Sequence, residues 1–510
     1  MEKAIAVIDI GMTNKKVAVY DAGLRMLDSV SKTFEPVMVE GLETHDLEGM
    51  EAWFLDRLAD FGKSHRIGAI AVTTHGATVV CVGADGRACA PCVYYTYEPG
   101  AEFQERFYAI AGDRRELQAS TGTPPLSAMI NPAKGLLFLE ERFPEAFARA
   151  RELLNYPQYW ARRLTGKSGA EGTYTGCHSY FWDWKTGRYS SVAERLGVAE
   201  MMPFPLRDSW DVLGVLKPDI AKRTGLEPDV IVTMGIHDSN ASLLPHLAKR
   251  RGSDFILNST GTWCVLMHPQ ESYGFASDEL GKIVFFNRSA YNKPVKTAIF
   301  LGGMEYEAWT RAIAAAAGST PAGLPEPGPE VYRSVAASAA EFILPELVPG
   351  SGQFPGSAAR AVESGRAYAL AGMAAGLVPS FAKSGARALA ALNISLALQT
   401  LVALKRAGLA RGTEVFTEGG FRKNAGYNAV LAAALRGEGF AGGAYLTDIA
   451  EATAFGAAMT AAAALEGRTP DELSGRFEVD YKAAKPMEGL DLGGYGAAWL
   501  ALTAGREGSA

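Results

Sequence analysis

Several absences narrow what this 510-residue chain does before any motif is read. Cysteine is scarce. Its five residues are an odd number and follow no secretion-type leader, so they are expected to be reduced thiols in a cytoplasmic protein. Met-Glu-Lys leads directly into Ala4-Ile-Ala-Val-Ile8 and an acid at Asp9, a pattern that predicts a first strand rather than a signal peptide. There is no excess of basic residues. A net charge of −6 argues against nucleic acid as a main partner. The long apolar stretch Ala388 to Leu404 is broken by Asn393, Ser395, Gln399 and Thr400, which predicts a buried helix and no membrane partner.

Known catalytic and nucleotide signatures are also missing. Gly166-Lys-Ser168 has the end of a P-loop, but Ala161 stands where its first glycine is needed. Gly350-Ser-Gly352 lacks the third glycine and the preceding strand of a dinucleotide fingerprint. The seven histidines show no helical metal-ligand spacing, so a zinc enzyme is not expected. Cys89-Ala-Pro-Cys92 has no second cysteine pair and is read as structural. No Gly-x-Ser-x-Gly elbow marks a serine hydrolase.

What is present is an α/β pattern long enough for two or three cores. Ala4–Asp9, the turn Gly11-Met-Thr-Asn14 and Lys16–Asp21 predict a hairpin. Glu48 to Phe61 has helical periodicity, Ile67–Thr73 is an apolar strand, and Phe103 to Thr165 reads as mainly helical. Val230 to Leu244 predicts a strand, a turn at Gly235 and a helix opening at Asp238. The second half repeats this order. Asp254–Leu257 and Trp263–Met267 flank the Gly/Thr turn Asn258–Thr262, Glu414–Gly420 ends in a glycine pair, and Ala444–Thr447 precedes a helix through Glu451–Gly456. The repetition suggests an internal duplication. The link Lys249–Ser253 marks the boundary, giving domains at 1–249 and 250–510, with Pro321–Pro329 and Phe354–Ser357 read as loops.

The candidate chemistry follows from that order. Asp238 at a helix mouth is either a cap for the first backbone N–H groups or a base. Asp9 with Thr13 and Asn14 suits a metal-bound phosphate close to backbone, and the glycine pairs 302–303 and 419–420 let backbone approach a ligand.

Asp9-Ile-Gly-Met-Thr-Asn-Lys-Lys16, Gly235-Ile-His-Asp238, Ser259-Thr-Gly-Thr-Trp263 and Glu418-Gly-Gly-Phe-Arg-Lys-Asn424 resemble the FGGY carbohydrate kinases to about Leu465. The resemblance implies two actin-like (ribonuclease H-like) α/β domains with an active-site cleft between them. It implies ATP and Mg²⁺, with Asp9 near the metal and Gly11, Thr13, Asn14 and Lys16 in a first phosphate loop. Thr260, Gly261 and Thr262 would form the second loop, with Gly302 and Gly303 approaching phosphates and Gly419, Gly420 and Asn424 bordering adenosine. Asp238 matches the catalytic base, and Thr74, His75, Gly76, Tyr95 and His237 the sugar side. Met12, Tyr97 and Pro99 depart from the family pattern, and Glu418 stands where Gly or Asp is frequent. Trp263 and Ala71-Val-Thr-Thr74 are similar to the L-rhamnulose and L-fuculose kinase branch, implying a 6-deoxy-ketose as substrate. A pentulose or polyol kinase and a non-catalytic actin-like nucleotide-binding protein are the alternatives. The partner is expected to be a small sugar, and a homodimer is left open.

Overall fold

The computed structural model describes residues 2–504 apart from residue 375. Its first half is built on β1 (Ala4–Ile10), β2 (Asn14–Tyr20), β3 (Met26–Thr33), helix α1 (Leu47–Gly62), β4 (Ile67–Thr74), helix α2 (Tyr156–Thr165), β5 (Val212–Val215), β6 (Ile231–Thr233) and helix α3 (Asp238–Lys249). The second half is built on β7 (Phe255–Thr260), β8 (Cys264–Pro269), β9 (Val284–Arg288), β10 (Pro294–Phe300), α4 (Gly302–Ala316), α5 (Gly385–Arg406), β11 (Glu414–Gly419), α6 (Ala425–Gly437), β12 (Ala444–Thr447), α7 (Ala452–Glu466) and β13 (Tyr481–Ala483).

The two main sheets share a plan. The first runs β5-β6-β4-β1-β2-β3, with the short strand Ile236–His237 added to the end of β4. The second runs β13-β12-β11-β7-β8-β10-β9. In each, an antiparallel hairpin (β1–β2, β7–β8) opens the half, its first strand pairs in parallel with a later strand (β4, β11), and that strand pairs in parallel with another (β6, β12). The pattern of apolar runs explains why. All eight residues of β4 are buried, as a parallel strand covered on both faces requires.

Two helices lie between the sheets and tie the halves together. Leu243 of α3 packs with Phe255, Leu257, Met267 and Phe416 of the second sheet. Ala454, Phe455 and Ala458 of α7 pack with Ile5, Val7, Ala69 and Ala71 of the first. The crossing is tight: a Cβ on Gly456 would lie 1.8 Å from the Ala241 carbonyl oxygen. Glycine is required there by approach, not by backbone angle. Helix α5 is long and apolar enough to cross a membrane by length and composition, but 89% of that window is buried in the second core, as the interrupted apolar run predicts.

Three expected boundaries move. Strand β7 continues through Thr260, so the second turn is only Gly261–Trp263. The loop expected at Pro321–Pro329 contains a 3-10 turn at Pro321–Gly323, and Pro329 opens a helix, as proline's missing N–H permits at a first helical position. The mainly helical stretch before Thr165 also includes the strand Glu152–Asn155.

Candidate active site

The carboxyl ends of β1, β4, β7 and β11 face the same cleft, and the short turns leaving them carry most of the candidate residues. In the first half, Gly11 N–H donates to the Asn14 carbonyl at 3.0 Å and closes the β1–β2 turn. Asn14 is held from outside by the Thr33 hydroxyl, at 2.8 Å. Beneath this turn lies Lys15, only 1% exposed. Its ammonium donates to the carbonyls of Met12 at 2.8 Å and Thr13 at 3.4 Å. Burial lowers its pKa to about 8. Carbonyls tied down from below leave the turn's other face to a ligand.

In the second half, Thr260 is the organising side chain. Its hydroxyl donates to the Glu418 carbonyl and accepts from Phe421 N–H at 2.9 Å. This clamps the end of β7 to Gly419–Gly420. Gly419 has φ +80°, and a Cβ there would lie 2.1 Å from the Thr260 carbonyl oxygen. Gly303, in the first turn of α4, is equally constrained: its Cβ would meet the Gly261 carbonyl at 2.0 Å. Gly261 itself has open space above it, with Trp263 O the nearest atom at 3.9 Å. The structure therefore brings Thr260, Gly261, Thr262, Gly302, Gly303, Gly419 and Gly420 together. Asn424 caps α6 through Tyr427 N–H at 2.9 Å and donates to Asn393 at 2.8 Å.

Asp238 stands between the halves. It is the first residue of α3, and His237 occupies the cap position without a side-chain cap bond. A pure N-cap role for Asp238 therefore fails. Its Oδ1 accepts from Ser239 N–H at 2.6 Å and from the Ser239 hydroxyl at 3.3 Å. About a third of the side chain, 32%, remains open. Burial pushes the carboxyl above the usual range, with His75 and the Ser239 contacts opposing. Asp9 is pushed to about 7, chiefly by burial and also by Asp238 and Glu451, while Lys16 opposes.

Glu451 was not among the sequence candidates. It holds a left-handed backbone at φ +53° at the start of α7 and binds the Lys16 ammonium. Lys16, expected on phosphate, is thus engaged with a carboxylate across the cleft. Asp238 and Glu451 both act on the charge of Asp9, and the three carboxylates offer the hard oxygen donors that Mg²⁺ prefers.

The sugar side is a box of aromatic rings. His45 stacks on His75 with centroids 5.3 Å apart, and Tyr95 and Tyr156 lie 5.5 and 5.2 Å from His75. The β4 end is fixed by His75 N–H donating to the Ile10 carbonyl at 2.9 Å. His75 Nδ1 lies 3.0 Å from the Gly76 carbonyl, which places the proton on Nδ1 and leaves Nε2 as an acceptor. Among the described residues that Nε2 is buried without a hydrogen-bond partner, as are both ring nitrogens of His45. Burial lowers the pKa of His75 to about 4 and of His237 to about 3, so both are neutral. A Cβ on Gly76 would lie 2.6 Å from His237 Nε2, so glycine admits the imidazole beside it.

Two residues from the substrate argument lie elsewhere. Tyr97 is 38% exposed and rests on Phe138, 5.3 Å away. Trp263 packs against a small apolar cluster of Leu126, Phe285 and Ile299 that bridges the halves. Neither ring joins the histidine box. Lys15, His45 and Glu451 were missed by sequence reading. Only Glu451 carried a signal, an acid opening a helix as Asp238 does.

The family models for the N-terminal domain of FGGY carbohydrate kinases and for the Carbohydrate kinase FGGY C-terminal domain match residues 4–245 and 252–469. The chain belongs to the FGGY family of carbohydrate kinases. A carbohydrate kinase from Novosphingobium aromaticivorans is similar in structure, with TM-score 0.77, 27% identity and 98% of each chain covered. A ligand-bound xylulose kinase from Lactobacillus acidophilus has TM-score 0.77 at 17% identity, covering 98% of this chain and 96% of that one, a likeness of fold. Xylulose kinase of Haemophilus influenzae is 31% identical over 114 residues, spanning 21% of this chain and 22% of that curated relative. The FGGY fold explains the paired sheets and the shared cleft.

Proposed function

We propose that this FGGY protein transfers the γ-phosphoryl group of ATP to a hydroxyl of a neutral ketose, with Asp238 as the general base. The observation that carries the reading is the position of Asp238: a partly open carboxylate, charge-coupled to Asp9 on the phosphate side and to His75 on the sugar side. Phosphoryl transfer asks mainly for positioning and charge stabilisation. The β1–β2 and β7–β8 turns supply backbone N–H groups to phosphate, and the glycines keep that approach free of Cβ atoms. Asp238 accepts the attacking hydroxyl's proton, and His75 Nε2 accepts a hydrogen bond from a neighbouring hydroxyl. Mg²⁺, held by Asp9 and Glu451, would neutralise phosphate charge when bound. Closure of the halves over the sugar excludes water as a competing acceptor.

For the sugar, we place a pentulose such as D-xylulose ahead of the 6-deoxy-ketoses. Trp263, which carries the resemblance to the deoxy-ketose branch, and Tyr97, which departs from the family pattern, stand outside the histidine box, and similarity to xylulose kinases supports the same order. Burying one methyl group is worth about 0.8 kcal/mol, roughly fourfold in affinity. ADP release measured with D-xylulose, L-ribulose, L-fuculose, L-rhamnulose and glycerol tests both levels. We expect a ketose to lead. No stimulation by any acceptor, with ATP still bound, would favour a non-catalytic nucleotide-binding protein. A lead of more than about tenfold for a deoxy-ketose would restore the other sugar assignment.

A further inference from the structure

Cys177, His178 and His237 form a cluster that phosphoryl transfer does not require. One ligand atom from each lies within 4.8 Å of the others. Cys177 Sγ and His237 Nε2 are 3.7 Å apart. In a tetrahedral site with Zn–S near 2.3 Å and Zn–N near 2.0–2.1 Å, sulfur and nitrogen are separated by about 3.6 Å. The imidazoles converge from two elements. The Cβ position of Gly76 is 2.6 Å from His237 Nε2 and 3.0 Å from His178 Nε2.

The cluster is also held in place. His237 N–H donates to the Thr173 hydroxyl at 3.0 Å, and that hydroxyl in turn donates to buried Glu171 at 2.7 Å. His178 sits in a left-handed backbone at φ +34°, unusual for a non-glycine residue, with its ring 6.0 Å from that of Phe285 across the cleft. Among the described residues, Nδ1 of both histidines is buried without a hydrogen-bond partner, that of His237 lying 3.5 Å from Asp238 Oδ1. Burial keeps both rings neutral, the form that ligates metal.

We propose that Cys177, His178 and His237 form a site for a borderline-soft divalent cation of the Zn²⁺ class, which competes with sugar. Three protein ligands leave a fourth position for water. Binding replaces the S–H bond of Cys177 with a metal–sulfur bond and releases the proton to solvent, with no change of oxidation state. Only the competition rests on the sugar reading above. It arises because His237 precedes Asp238 and lies beside Gly76, the residue after His75, so metal there fixes its ring at the edge of the sugar box. The hard-oxygen group at Asp9 and Glu451 would not share this preference.

Co²⁺ is the probe. Added to chelator-treated full-length protein, one equivalent should give a near-ultraviolet thiolate-to-cobalt band and tetrahedral ligand-field bands, both displaced by Zn²⁺. Cys177→Ser should lose the thiolate band, while Cys89→Ser should keep it. His178→Asn retains a residue that accepts a left-handed backbone and should weaken Co²⁺ by on the order of tenfold or more. Circular dichroism establishes that each variant is folded. Zn²⁺ should raise the KM for sugar with little change in kcat. No thiolate band in the wild type, or a band that survives Cys177→Ser, overturns the site. A band that saturating substrate leaves unchanged overturns its placement in the sugar box. A normal band in a protein that phosphorylates nothing overturns the kinase reading and leaves the metal site standing.

Discussion

The ends of β4 and β11 occupy equivalent places in the two sheets, yet they are built from opposite materials. β4 runs out through Thr74 into His75, a buried ring stacked among other rings. β11 runs out through Glu418 into Gly419 and Gly420, where any Cβ at Gly419 would strike Thr260. One end fills its space with hydrogen-bonding side chains and the other clears its space for backbone. The helix starts show the same divergence. Asp238 opens α3 and Glu451 takes the cap position before α7, but Asp238 bonds the adjacent Ser239 whereas Glu451 is paired with Lys16 of the other half. One folding plan thus yields a selective wall and a permissive cradle, and chemistry belongs where they meet.

The largest expected effect separates the two acids. Asp238→Asn should lower turnover by at least ~10²-fold while ATP binding and the fold persist, because an amide cannot take the proton. Glu451→Gln keeps the shape and hydrogen-bonding reach of its side chain, and should cost less than about tenfold in kcat, with a raised Mg²⁺ requirement. Equal losses in steady-state assays would mean that the acids share one role and that the division between halves is mistaken.

The next contrast concerns glycine. Gly419→Ala must both adopt φ +80° and displace the Thr260 carbonyl, so ATP affinity should fall by on the order of tenfold or more in calorimetry. Gly11→Ala meets only the Asn14 carbonyl at 3.0 Å and should be much milder. Gly456→Ala tests the joint between the halves rather than either cleft wall. Forcing α3 and α7 apart should cost about 1–3 kcal/mol of stability, read as a lower Tm.

How much of this was legible in sequence follows from the range over which each signal acts. The hairpin around Gly11, strand β4, the strand–turn–helix at Asp238 and helix α5 depend on local periodicity and turn chemistry, and each lies close to where the pattern puts it. The two Gly/Thr turns were legible because glycines and threonines cluster in short segments. Lys15 was not. A lysine beside a turn reads as solvated, and only the folded hairpin shows its ammonium beneath Met12 and Thr13. His45, Cys177 and His178 come from loops far from His75 in sequence, and no spacing rule links them. Tyr97 was legible only as a departure from the family pattern; where its ring packs, against Phe138, depends on the folded chain.

The smallest effect is a pH dependence that distinguishes the first-half acid from its second-half counterpart. Asp9 is the next-to-last residue of β1, while Ser259 holds the matching place in β7 and carries no charge. Burial, Asp238 and Glu451 together raise the Asp9 pKa to about 7 from its ordinary 3.8. Because the folded-state value is the higher one, the metal-free native protein binds more protons than the unfolded chain between about pH 4 and 7. Its stability contribution from Asp9 therefore falls as pH rises through that window and is level above it. Mg²⁺ competes with the same proton, so apparent Mg²⁺ affinity should rise with pH below 7, by at most about tenfold per unit, and then plateau. Initial rates measured against Mg²⁺ concentration at pH 6 and pH 8 give the comparison directly. Asp9→Asn should flatten this dependence, whereas Ser259→Ala should leave it in place. A Mg²⁺ requirement independent of pH in the unaltered protein would show that Asp9 is ionised without the metal, and the proposed coupling of the three carboxylates would fail.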